Sequence, residues 1–118
     1  MQLRLSYLLS VISRELLDYE PRVISVETRT SIDIIYIRLS IGLSNDLTLE
    51  IREILVGNTV KKYAYYLLRR GETLLGCDNA PHHKLSTFPN HCHTKEGIEP
   101  FNGSFQVFIE RIKKFLRR

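Results

Sequence analysis

The chain has 118 residues, 43% hydrophobic and 25% charged, with a formal net charge of +4. That length makes a single domain, residues 1–118, which buries about two thirds of its unfolded surface and so can fold without disulfides. The lack of repeats and low-complexity tracts excludes a solenoid, and the moderate basic excess admits nucleic acid or an acidic protein as partner while also describing a plain solvated surface.

At the N-terminus, Leu5, Leu8, Leu9, Ile12 and Leu16 recur at helical spacing and predict an amphipathic helix that Pro21 ends. Arg4 and Arg14 lie inside this apolar stretch, so no signal peptide is expected. No apolar run nears the ~20 residues of a membrane helix, which makes the cytoplasm the expected location. Residues 23–31 read as a strand ahead of a clearer one, in which Ile35, Ile37, Leu39, Ile41 and Leu43 alternate with Tyr36, Arg38, Ser40 and Gly42. Ser44-Asn45-Asp46 is turn chemistry. Leu47, Leu49 and Ile51 resume the alternation. Glu53 then falls where an apolar residue is due, which predicts a bulge near Arg52–Glu53 and makes Glu50 and Glu53 surface carboxylates.

After the Gly57-Asn58 turn, the run VKKYAYYLLRR reads as a third strong strand. One face carries Val60, Lys62, Ala64, Tyr66 and Leu68; the other carries Lys61, Tyr63, Tyr65, Leu67 and Arg69. Arg70-Gly71-Glu72 turns the chain into a short strand, TLLGC. At the C-terminus, Phe105, Phe108, Ile109, Ile112, Phe115 and Leu116 share a helix face, with Asn102 or Ser104 as cap. Its basic residues, Arg111, Lys113, Lys114, Arg117 and Arg118, suit the negative end of the helix dipole and equally offer a contact to a partner. The expected fold is α+β: an antiparallel β-meander of four to five strands, with an N-terminal and a C-terminal helix packed on one face. The opposite face, with Tyr36, Arg38, Glu50 and Arg52, is left for a substrate.

Residues 78–94, DNAPHHKLSTFPNHCHT, hold all four histidines: His82, His83, His91 and His93. Three readings compete. His91 and His93, two apart on extended backbone, project to one side and make a workable chelate, for which His82 or His83 could supply a third ligand, with Asp78 or Cys92 nearby; against this, no standard zinc spacing is present. Histidines that titrate near ~6.5 also serve as base and acid for RNA cleavage, with Arg38, Arg52, Lys62 and Lys84 as cations and Tyr63 and Tyr65 to stack on bases. A loop without chemistry is the third, with Asp78 holding backbone amides. Cys92, between two histidines, faces away from them on a strand. Cys77 and Cys92 are too few for a secreted scaffold; they are expected as free thiols in a reducing cytoplasm, and a disulfide would fit a hyperthermophile.

The run KKYAYYLLRRGETLLGCDNAPHH followed by FPNHCH resembles the TumE family of small toxins, from toxin–antitoxin pairs. The matching residues are Lys62-Tyr63 with Tyr65, Gly71, Asp78-Asn79-Ala80-Pro81-His82-His83, and Phe88-Pro89 with His91 and His93. The resemblance extends over about residues 38–118 and is densest at 61–93. Asn90 and Cys92 stand where the family tends to have His and Lys, which shifts the weight to His91 and His93. The resemblance implies a type II toxin, held inactive by a cognate antitoxin with a DNA-binding domain, and by analogy an RNA-targeting one.

Together these lead to a metal-independent endoribonuclease that needs no cofactor. His82 and His91 form the acid–base pair, His83 and His93 orient them, Asp78 fixes a tautomer, and Lys62 stabilises phosphate charge. Tyr63, Tyr65, Arg38 and Lys84 hold the substrate. Antitoxin and RNA are the expected partners, with a homodimer allowed and no membrane. A non-catalytic nucleic-acid- or protein-binding module and a His-ligated metalloprotein are the alternatives.

Overall fold

The computed structural model describes residues 2–81 and 88–117. A helix, α1 (Leu3–Glu15), and a short 3-10 turn (Leu17–Tyr19) lead into seven strands: β1 (Arg22–Thr30), β2 (Ile34–Gly42), β3 (Leu47–Val56), β4 (Thr59–Arg69), β5 (Glu72–Asp78), β6 (His91–Thr94) and β7 (Gly97–Pro100). Helix α2 (Phe105–Leu116) closes the chain. Each strand pairs antiparallel with the next, so spatial order equals chain order, as tight polar turns require. The α+β expectation holds, but the sheet has seven strands rather than four to five. Strands β6 (HCHT) and β7 (GIEP) were missed because four residues are too short to display an alternation, and every residue of β7 is exposed.

One face of the sheet is buried under both helices. The inward residues of β2 to β5 join Leu5, Leu8, Val11, Ile12 and Leu16 of the N-terminal segment and Phe105, Phe108, Ile109 and Ile112 of α2 in one cluster. Each such side chain contributes about 1.5–3 kcal/mol on burial. Ser104 caps α2: its hydroxyl accepts from the Val107 amide at 3.3 Å, while Asn102 supports it by accepting from the Ser104 amide at 3.0 Å. Asn45 and Asp46, at φ 61° and 62°, make the β2–β3 turn, a conformation that Asn and Asp tolerate better than other side chains.

Strand β3 corrects two expectations. Its alternation does not break: Leu47, Leu49, Ile51, Glu53 and Leu55 are all buried. Glu53 therefore occupies a core position in phase and is no surface carboxylate. It is tolerated there because Arg4 of α1 donates to both its oxygens, at 2.7 and 2.8 Å, and the Tyr65 hydroxyl donates to Oε2. The bulge lies opposite, in β4, where Ile54 pairs with Lys62 and Leu55 with Val60, so that Lys61 is the extra residue.

Candidate functional site

With the helices on one side, the period of two fixes what the open face carries. Cross-strand pairing aligns a row Arg38–Arg52–Ala64–Asp78–His91 over β2 to β6. The next row is Ser40–Glu50–Tyr66–Gly76–His93, and Tyr36–Ile54–Lys62 forms a third on the other side. Arg52 and Asp78 sit two strands apart, about 10 Å between backbones, with only the small Ala64 between them. Arg38, Arg52 and Lys62 are exposed. A shallow depression lined by Tyr36, Arg52, Ile54, Lys62 and Ala64 opens beside the rows.

Asp78, His91 and His93 form the centre. Their ligating atoms all lie within 4.8 Å of one another. Asp78 Oδ1 accepts from the Ala80 amide at 2.9 Å and lies 3.1 Å from His91 Nε2. His91 Nδ1 lies 3.0 Å from the Pro89 carbonyl, which only accepts, so Nδ1 carries the proton and Nε2 is the nitrogen turned to Asp78. The two imidazoles meet edge to face, 4.6 Å between centroids. His91 is wholly buried and His93 partly exposed. Asn79, next in the DNAP element, ties the site to β4: it accepts from the Tyr63 amide at 3.2 Å and donates to the Lys61 carbonyl at 3.0 Å, satisfying the backbone around the bulge.

Cys77 and Cys92 lie directly opposite each other on β5 and β6, between these outward residues, and face the core. Cys92 thus points away from the histidines, as alternation predicts. The two sulfurs are joined in a disulfide, which replaces the expected free thiols and removes Cys92 as a metal ligand.

Tyr66 belongs to the site although the sequence reading did not assign it there. Its ring lies over Gly76, where an added Cβ would come 2.6 Å from a ring carbon. Burial pushes its phenol up, and the charge of Asp78 and a hydrogen bond to it push the same way, while Arg52 pulls it down. The signal was available: Tyr66 shares the strand face of Lys62, and Tyr63 and Tyr65 do not. Tyr65 is fully buried, stacks on Tyr63 at 4.7 Å and packs against Phe105 and Phe108, so it has no surface to offer a base. Tyr63 is buried as well, and its hydroxyl donates to Asn90 at 2.8 Å. Burial pushes both phenols up, with Asp78 adding to the effect on Tyr63 and Glu53 to that on Tyr65. Aromatic content raised these two as base-stacking candidates; strand parity puts them inside. His82, His83 and Lys84 lie outside the described residues.

Fold and site define a small α+β protein with a basic, open sheet face centred on paired imidazoles and a carboxylate. The model of the family described as Toxin TumE matches residues 12–118, and the chain belongs to that family, the toxins of toxin–antitoxin pairs. No curated protein and no solved structure matches the chain. Among the described residues, no helix is long and apolar enough to cross a membrane.

Proposed function

We propose that this TumE-family toxin cleaves RNA by histidine acid–base chemistry without a metal, acts in the cytoplasm, and is held in check by a cognate type II antitoxin that carries a DNA-binding domain. The observation that carries the proposal is the Asp78–His91–His93 centre on the same sheet face as Arg38, Arg52 and Lys62. Cleavage next to a 2′-hydroxyl needs a base to take that proton, an acid to protonate the leaving 5′-oxygen, and cations for the charge on phosphorus. His93, the more exposed imidazole, takes the 2′-hydroxyl proton as base and, once protonated, gives it to the leaving 5′-oxygen as acid. The buried His91, between Pro89 and Asp78, orients it. Arg52 and Lys62 hold phosphate, and Tyr66, not Tyr63 or Tyr65, presents a phenol on that face.

The test is cleavage of a mixed-sequence RNA in EDTA by untagged protein. Wild type is expected to cut, and His93→Ala to lose about 100-fold or more. Full activity in His93→Ala refutes the assignment. A docking module without catalysis is favoured by one observation. Strand β1 is an edge that leaves Val23, Ile24 and Val26 exposed, a surface suited to strand addition by an antitoxin or a second copy.

A further inference from the structure

We propose that Asp78, His91 and His93 form a binding site for a divalent ion of the zinc class, and that the ion competes with the histidine chemistry for the same nitrogens. The competition rests on the function proposed above; the site itself does not. Sequence spacing counted against a metal because the histidines lack a standard motif. The sheet supplies what linear spacing hides, since β5 places Asp78 directly opposite His91, with His93 two residues further along β6.

Bonds of about 2.0–2.2 Å put the ligands of a tetrahedral ion about 3.4 Å apart. Asp78 Oδ1 and His91 Nε2, at 3.1 Å, already have nearly that separation. The widest spacing in the set is within 4.8 Å, and a small rotation of the partly exposed His93 ring closes it. The surroundings also match a metal site. His91 gives its Nδ1 proton to the Pro89 carbonyl, which fixes the ring and aims Nε2 at the ion, the outer-shell arrangement that metal-bound histidines commonly have. Asp78 is held in turn by the Ala80 amide. Because Cys92 is bonded to Cys77 on the core side, the donor set is two nitrogens and one oxygen. That set suits zinc or a neighbouring transition ion better than magnesium, which takes oxygen ligands. Three protein ligands leave a fourth position for water or a substrate oxygen. An ion on these nitrogens uses the lone pairs that proton transfer requires.

The experiment uses untagged full-length protein, stripped with EDTA and dialysed, titrated calorimetrically with zinc chloride. Wild type is expected to bind one equivalent, with His93→Ala and Asp78→Asn at least about tenfold weaker. His93 is partly exposed and Asp78→Asn keeps the size and shape of the buried Asp78 side chain, so both variants are expected to keep the wild-type circular dichroism spectrum. Absence of saturable binding by wild type overturns the site. So does unchanged affinity in both variants, which would put the ion on other histidines. In the RNA assay zinc is expected to suppress cleavage by the stripped protein, and cleavage that requires the ion overturns the competition. If neither form cuts RNA, the proposed function fails while the binding isotherm still decides the site.

Discussion

The interaction most exposed to a single substitution is the one that lets Glu53 sit in the core. Arg4→Met removes the guanidinium but keeps an apolar stem of similar length. Glu53 has no exposed side-chain surface, and its two charge-assisted bonds from Arg4 are at 2.7 and 2.8 Å. Without Arg4 the carboxylate keeps only the Tyr65 hydroxyl and faces Ile51, Leu55 and the aromatic cluster. Breaking one side of a buried pair costs about 3–5 kcal/mol. The Arg4 side chain is 24% exposed, so water can reach the vacated position, and the lower end, about 3 kcal/mol, applies. For a chain of this size that is a fall of about 12 °C in Tm. The assay is urea unfolding at neutral pH, with Arg4→Met/Glu53→Gln as the control. The neutral amide has no charge to desolvate and still accepts from the Tyr65 hydroxyl, so the double variant is expected to recover most of the loss. A single-variant loss below about 1 kcal/mol, or a double variant no better than the single, refutes the view that desolvation of Glu53 makes Arg4 necessary.

Gly76→Ala places a methyl 2.6 Å from a Tyr66 ring carbon and is expected to cost about 1–3 kcal/mol by overpacking, relieved when Tyr66→Ala is added. Equal unfolding midpoints for wild type and Gly76→Ala would show that the ring moves away freely. Hydrogen bonds from Lys113 and Arg14 hold the Glu15 carboxylate at about 2, below the ordinary 4.5, across the contact between α1 and α2. A lowered folded value means that this contribution is present above about 4.5 and is lost as pH falls toward 2. Glu15→Gln is therefore expected to flatten that part of the stability–pH curve, by a small amount because the pair is solvent-screened; an unchanged slope between pH 5 and 2 by urea midpoint refutes it.

Most of the architecture was legible because it rests on periodicity. The apolar stripe of α1, the alternation of β2, that of β4 from Lys62 onward and the aromatic face of α2 each span two or more turns or pleats and appear where the spacing put them, whereas Val60, expected on the face of Lys62, is turned to the core by the bulge at Lys61. Glu53 misled because an alternation scored by side-chain polarity cannot register a charge whose partner is 49 residues away. The site was legible in composition but not in assignment. DNAPHH and FPNHCH drew attention to Asp78, His91 and His93, and the sheet brings those three together. Aromatic content points to Tyr63 and Tyr65 as substrate contacts, although the parity of β4 groups Tyr66, and not them, with Lys62. The disulfide depends on cross-strand register, which neither cysteine's neighbours reveal.

That register links stability to chemistry in one pair of strands. On β5 and β6 the order Gly76-Cys77-Asp78 runs against His91-Cys92-His93. Alternation sends the cysteines inward and the glycine, carboxylate and imidazoles outward. A slip of one residue would turn His91 and His93 into the core and expose Cys92, so the site exists in only one pairing. Strand β6 has four residues and cannot hold that pairing by hydrophobic pattern alone. The inward disulfide, the burial of both cysteines and the Asp78–His91 contact all favour the same register. The same device explains the small residues beside the centre. Gly76 lets the Tyr66 ring lie flat on the sheet, and Ala64 keeps the row between Arg52 and Asp78 open. A bulky side chain at either position would fill this open face, so steric access and register together, rather than the histidine count, define what it can bind.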